Sequence, residues 1–163
     1  MDSQITIRKA ELKDISEVFA MLQELSAFEK LPQNVKISKE TFEKDFIEKA
    51  FTSFVAERSD GKLVGYTVSC QAYSTWEGRV MSLRDIYVKP ELRGTGIGRK
   101  LFITTMKDGY KAGCNSAFFL VLDWNPAVKF YKELGATDIT EKENYHIFKV
   151  LTDDFVKLCT STE

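Results

Sequence analysis

One histidine, three cysteines and a net charge of −1 bound what this 163-residue chain can do. His146 alone cannot anchor a metal cluster, so no metal is expected. A Ser-His or Cys-His nucleophile would have to use it, and no G-x-S-x-G turn supports that chemistry. Cys70, Cys114 and Cys159 are odd in number and widely spaced. They form neither a zinc spacing nor a disulfide framework, which suits a reducing cytoplasm. The apolar runs fall far short of the roughly 20 residues of a membrane span. The start, Met1-Asp2-Ser3-Gln4, is polar and lacks a signal-peptide core. With 23 basic and 24 acidic residues interspersed, no basic block points to nucleic acid and no acidic tail to disorder.

A hydrophobic content of 44%, with twelve Phe, six Tyr and two Trp, is enough for a real core. The length falls in the roughly 100–200 residues of one domain, so a single domain over 1–163 is expected. Ile5 to Arg8 reads as a short strand. Ile15, Val18, Phe19, Leu22 and Leu25 follow at helical spacing, and that helix runs out near Phe28-Glu29-Lys30. Ser38 is a candidate N-cap for a second helix to about Lys49. Phe54–Arg58 and Lys62–Cys70 read as strands joined by Asp60-Gly61, and Val80–Val88 as the next strand. A helix to about Tyr110 and an apolar strand, Ala117–Leu122, come next. Asn125-Pro126 opens another helix that Gly135 closes. Tyr145–Leu151 reads as the last strand. The fold class is α/β (α+β), a mixed sheet with helices on both faces.

Between the Val80–Val88 strand and its helix stands Arg93-Gly94-Thr95-Gly96-Ile97-Gly98. A glycine-rich turn feeding a helix N-terminus suits an anion, because backbone N–H groups can close on it and the helix dipole presents its positive end. Counting from Gly94, a Walker loop and a dinucleotide fingerprint both require glycine where this chain has Arg99. A plain glycine-rich surface turn is the alternative.

The remaining pattern, R-G-x-G-x-G after a strand, resembles the pyrophosphate loop of the GCN5-related N-acetyltransferase superfamily. The element order resembles that fold as well, including a splayed central strand pair. The resemblance implies acetyl-CoA as co-substrate. Gly94, Thr95, Gly96, Ile97, Gly98 and Arg99 would meet its pyrophosphate through main-chain N–H groups. Arg93 and Arg99 would add charge there, or are solvated surface charges. The pantetheine arm would pair with Ile86, Tyr87 and Val88 and pass beside Phe118, Phe119 and Leu120. Asn125, Pro126 and Ala127, further cofactor contacts that the resemblance implies, begin the helix that carries Tyr131. In this superfamily a tyrosine there protonates the leaving thiolate. Ala127, Phe130, Tyr131 and Leu134 also follow i, i+3, i+4, i+7, so Tyr131 reads as a core position on periodicity alone, and the W-N-P-x-x-x-F-Y context from Trp124 to Tyr131 turns the reading to catalysis.

The chain further resembles the diamine acetyltransferase group within that superfamily. The matching segments are Phe28-Glu29-Lys30-Leu31, Val35-Lys36-Ile37-Ser38, Tyr73-Ser74-Thr75-Trp76, Asp85-Ile86-Tyr87-Val88, Leu122-Asp123-Trp124-Asn125 and Leu134-Gly135-Ala136. The polyamine branch resembles Y-D-P-W where this chain has Tyr73-Ser74-Thr75-Trp76. The absent aspartate favours the thialysine branch, whose acceptor carries one distal amine. Both branches usually have L-E-D where this chain has Leu83-Arg84-Asp85. Arginine cannot act as a base at neutral pH. Arg84 instead reads as a contact for a substrate carboxylate, as an exposed strand residue, or as a partner of Asp85 or a nearby glutamate. Phe28, Glu29, Asp85 and Glu143 match substrate-contact positions, and each acid reads equally as a surface charge. Trp76 reads as a wall of the amine site or a core plug, with core favoured.

The expected activity is therefore acetyl-CoA-dependent N-acetylation of the distal primary amine of a small amino acid such as thialysine. The rivals are a polyamine N-acetyltransferase and an acetyl-CoA-binding module impaired by Arg84. The partner is a small-molecule amine, with no nucleic acid and no membrane. The resemblance also implies a homodimer, for which Phe155 to Leu158 offers an interface.

Overall fold

A computed structural model describes residues 4–160; Met1-Asp2-Ser3, read above as part of a polar start, lies outside them. The chain divides into two compact units, Met1–Leu122 and Asp123–Glu163.

The first unit is built on a five-stranded sheet in the order β1-β2-β3-β4-β5. Its strands are β1 (Ile5–Lys9), β2 (Thr52–Arg58), β3 (Leu63–Ser74), β4 (Gly78–Val88) and β5 (Ser116–Phe118). The first four are antiparallel neighbours, and β5 runs parallel to β4. Helices α1 (Ile15–Phe28), α2 (Lys39–Ile47) and α3 (Ile97–Lys111) complete it.

Strand alternation distributes the helices. Val55, Tyr66, Val68 and Tyr87 pack with Ile15, Val18, Phe19 and Met21 of α1 and Phe42 of α2. Their neighbours Phe54, Ala56, Val64 and Val88 pack with Ile97 and Leu101 of α3. Consecutive residues of β2 thus serve opposite cores, as a period of two requires, and the sheet is covered on both faces. Gly65 lies close beneath α3. A Cβ there would sit 2.7 Å from the Tyr87 carbonyl oxygen and 3.1 Å from Leu101 Cδ1.

Local signals agree with these elements. Ser38 caps α2, its hydroxyl accepting from the Thr41 N–H at 3.1 Å. Gly61 takes φ +85° in the β2–β3 turn. Helix α1 ends in a Schellman pattern, with Leu31 N–H donating to Ser26 O and Lys30 N–H to Ala27 O. Lys30 holds φ +60°, a left-handed conformation usually left to glycine or asparagine. That turn sets Glu29 at the helix end.

The second unit carries α4 (Ala127–Glu133), α5 (Ile139–Glu143) and α6 (Thr152–Thr160). The Asn125 carboxamide oxygen accepts from the Ala127 N–H at 2.9 Å, and Gly135 follows α4 with φ +93°. Two expectations fail here and at β5. The Tyr145–Leu151 strand is absent: residues 144–151 are irregular and exposed. A strand needs a neighbour for its backbone groups, and the described residues of this unit offer none. The Ala117–Leu122 strand shrinks to Ser116–Phe118. Past it, the Phe119 ring meets Phe102 of α3 edge-on, with centroids 6.0 Å apart.

Candidate active site

The site is built where β4 outruns its parallel neighbour. β4 and β5 pair at Val80–Ser116, Met81–Ala117 and Ser82–Phe118, and there the pairing stops. β4 continues to Val88 bonded only to β3. The strand pair therefore opens along Leu83–Val88, the expected splay, with Ile86, Tyr87 and Val88 on its length. Phe118 closes β5, while Phe119 and Leu120 lie beyond it; Phe118 and Leu120 are exposed.

The glycine turn follows at once. Gly94 and Gly96 have φ of +78° and +85°, Gly96 is the N-cap of α3, and a Cβ added to either meets no atom within 4 Å. The turn is held from beneath. Thr95 Oγ1 donates to the Leu92 carbonyl at 2.6 Å, and Ile97 is buried in the core under α3. The first α3 N–H groups, at Ile97, Gly98 and Arg99, precede the first intrahelical bond, Lys100 N–H to Gly96 O. An open, glycine-lined helix N-terminus at the end of a strand gap fits a pyrophosphate with an extended arm. Arg99 is exposed beside it. Arg93 is turned away: its guanidinium lies over the Phe28 ring, 4.5 Å from the centroid.

On the α1 face of β4, two expected acceptor residues come together. Asp85 is half-buried and accepts from the Tyr66 hydroxyl at 3.2 Å. Tyr66 pairs with Tyr87 across the sheet and reaches Asp85 diagonally. Burial holds the Asp85 carboxyl above its ordinary value, against the Tyr66 hydrogen bond and the Arg84 charge. Burial and the neighbouring Asp85 charge likewise raise Glu29. Burial, then Asp85 and Glu29, push the Tyr66 hydroxyl well up. Two carboxyl groups that each disfavour ionisation thus face a fully buried phenol.

Arg84 precedes Asp85 on β4. β3 pairs Ser69 with Leu83 and Val68 with Asp85, so Arg84 is the extra residue of a β-bulge. Its side chain is exposed. Bulges re-aim side chains and end regular pairing, and this one stands where β5 has just left β4.

The other expected residues stand on the second unit and in the β3–β4 turn. Tyr131 is buried on α4, its ring edge-on to Phe130 at 5.2 Å. Pro126 precedes α4, and Asn125 is buried at its start. Glu143 ends α5, exposed, with Lys142 Nζ at 3.8 Å. Trp76 is no core plug. It is 86% exposed in the β3–β4 turn, where Ser74 Oγ accepts from the Trp76 and Glu77 N–H groups, both at 3.2 Å. The turn needs the Ser74 oxygen and leaves the indole outside.

Sequence reasoning missed Tyr66, the Arg84 bulge and Glu24. Glu24 accepts from Tyr87 Oη at 2.7 Å and Lys89 Nζ at 2.5 Å. Burial, and then the Glu24 hydrogen bond, push Tyr87 up to about 12. Glu24 and Phe28 are an i, i+4 pair, a spacing that could have put both on one face of α1. The bulge had no sequence mark, since no glycine stands at it.

Residues 18–136 match the family model described as Acetyltransferase (GNAT) family. The chain belongs to the GNAT acetyltransferase family. This acetyltransferase is 43% identical over 153 residues to the thialysine N-epsilon-acetyltransferase of Mus musculus, covering 88% of this chain and 90% of that protein. Against the protein of the same name from Sus scrofa it is 40% identical over 157 residues, covering 90% and 92%. A human spermidine/spermine N(1)-acetyltransferase-like protein 1 is 29% identical over 93% of this chain but 23% of its own length. Among solved structures, an aminoglycoside N-acetyltransferase in complex with CoA superposes with a TM-score of 0.74 at 19% identity, covering 93% and 97% of the two chains. That likeness carries the fold. The protein is an N-acetyltransferase.

Proposed function

We propose that this enzyme moves the acetyl group of acetyl-CoA to the distal primary amine of a small amino acid of the thialysine type. The observation that carries the reading is the continuity of three features. The strand gap along Leu83–Val88 leads through residues 89–93 into the open Gly94–Gly96 turn, and Asp85 on the same strand neighbours Glu29 at the end of α1. When bound, acetyl-CoA supplies a thioester. The names of the relatives from Mus musculus and Sus scrofa support the choice of acceptor.

The acceptor must arrive or become neutral. An alkylammonium has a pKa of about 10.4, so neutralising it near pH 7 costs about 4–5 kcal/mol. Thialysine lowers that cost, because its sulfur withdraws charge from the amine. Arg84 stays protonated and cannot take the proton. Asp85 and Glu29, both more basic than ordinary carboxylates, hold the ammonium and accept its proton, directly or through water. Arg84, exposed on its bulge, takes the substrate carboxylate, with Phe28 as the apolar wall. Glu143 adds negative charge for the ammonium. Tyr131 protonates the departing thiolate. Backbone N–H groups of Gly94–Arg99 hold the pyrophosphate.

A polyamine acceptor is the second reading, because two adjacent carboxyl groups suit a polycation as well as a single ammonium. CoA release measured with thialysine, lysine, spermidine and no amine separates the two readings, with product mass confirming transfer. Tyr131→Phe should lower kcat by about 10²–10⁴-fold with the tightest loss above neutral pH, where free thiolate must leave unaided. An unchanged kcat across pH would remove Tyr131 from the chemistry. A cytosolic homodimer belongs to the same reading, supported by exposed Phe155, Val156 and Leu158 on α6; sedimentation tests the dimer and cell fractionation the location.

A further inference from the structure

Arg93 opens the glycine hexamer, so its place in the sequence puts its charge on the pyrophosphate. Its side chain does something else. Nε donates to the Val88 carbonyl at 3.0 Å. The guanidinium carbon stands 4.5 Å from the Phe28 ring centroid and 5.6 Å from that of Tyr87. A guanidinium is planar and weakly hydrated, so it can stack on rings while its N–H groups hold a carbonyl. Lysine has no such fork. Arg93 is exposed overall, while its hydrogen bond to the Val88 carbonyl is partly buried.

The neighbouring contacts complete a clamp. Tyr87, beneath the guanidinium, donates to Glu24 at 2.7 Å, and Lys89 pairs with the same carboxylate at 2.5 Å. Against the burial that would raise it, the Lys89 and Tyr87 hydrogen bonds hold the Glu24 carboxyl below its ordinary value. Glu24 and Phe28 lie one turn apart near the end of α1. The last turn of α1 is therefore fastened twice to residues 87–93, which lead straight into Gly94.

We propose that Arg93 is a positioning residue of the acceptor site, stacked on Phe28 to hold that wall and the adjoining Glu29 in register with the glycine turn, and is not a pyrophosphate ligand. The inference rests on the reading above that Phe28 and Glu29 border the acceptor. It has a thermodynamic consequence. Acetyl-CoA, by ordering the glycine turn, also orders Arg93 and the acceptor wall. Occupancy of either site then raises affinity at the other by the same factor.

The test is Arg93→Gln, with CoA affinity measured by calorimetry and KM measured for thialysine. The expected result is a KM for thialysine raised about fivefold, from loss of a partly exposed cation–π contact, and a CoA Kd within about twofold of the parent. Phe28→Leu should raise the thialysine KM similarly. The double variant should be little worse than either single one, because both remove one contact. Arg93→Lys, which keeps a cation, should fall between parent and Arg93→Gln and guards against a folding defect. A CoA Kd weakened tenfold or more with the thialysine KM unmoved would make Arg93 a pyrophosphate ligand and overturn the proposal. Additive effects of Arg93→Gln and Phe28→Leu would overturn it too. Glu29→Gln separates the two levels of argument. If it leaves the thialysine KM unchanged, the acceptor-site reading falls; if it raises KM while Arg93→Gln does not, only the role of Arg93 falls.

Discussion

Gly96 and Gly61 share one backbone conformation in two settings. Both have φ +85°, and a Cβ on either meets no atom within 4 Å. Gly61 turns the β2–β3 hairpin, and Gly96 caps α3 at the glycine turn. Replacing either by alanine forces an L-residue into the left-handed region, which costs roughly 1–2 kcal/mol. For a chain of this size each kcal/mol lowers Tm by about 2–4 °C, so both variants should melt about 2–8 °C early. Here the likeness ends. A methyl at Gly96 stands where the anion must approach the α3 N–H groups. Losing one hydrogen bond to a charged group costs about 1.5–3 kcal/mol, or roughly 10–100-fold in CoA affinity. Gly61→Ala should leave CoA affinity unchanged. Calorimetric titration of CoA into both variants, beside their melting curves, reads the two effects separately. Equal CoA affinities in variants of equal stability would refute the assignment of this turn to the pyrophosphate.

Two further outcomes follow from the packing. Glu29 has its carboxyl raised by burial and by Asp85. The folded chain therefore holds that proton more tightly than the unfolded chain does. Ionisation costs stability: the cost is absent below the unfolded value and complete above the folded one. Glu29→Gln should thus melt higher than the parent at pH 7.5, with the gap closing as pH falls through the carboxylate range, while acceptor kcat/KM drops. A variant that melts lower at pH 7.5 would show that the carboxylate is not opposed by its surroundings. Gly65→Ala drives a methyl against the Tyr87 carbonyl at 2.7 Å, backbone that cannot swing aside. Overpacking of this kind costs about 1–3 kcal/mol, and chemical denaturation should show it as a lower midpoint with an unchanged slope.

Much of the fold was legible in the sequence because its signals are local. The spacing of Ile15, Val18 and Phe19, the cap at Ser38, the turn at Asp60-Gly61 and the glycine hexamer each act over a few residues, and each stands where it was read. The glycine turn was legible for the same reason: glycine at Gly94 and Gly96 is demanded by backbone angle alone. Tyr145–Leu151 shows the limit, since alternation describes a willingness to pair and not the presence of a partner. Trp76 shows it again: an indole reads as core until a turn that needs the Ser74 hydroxyl leaves it in solvent.

What the sequence by itself determined, then, was the element order from β1 to α4, the helix caps and the glycine turn, all set by short-range sterics and hydrogen bonding. Tertiary structure decided the rest. It ended the β4–β5 pairing at Ser82, placed Arg84 on a bulge, buried Asp85 so that it resists ionisation, and set Glu29 where burial and the Asp85 charge do the same. It also turned Arg93 back onto Phe28. These are relations between residues far apart in the chain. Their energies depend on burial and on distances that only the packed sheet and helix α1 establish.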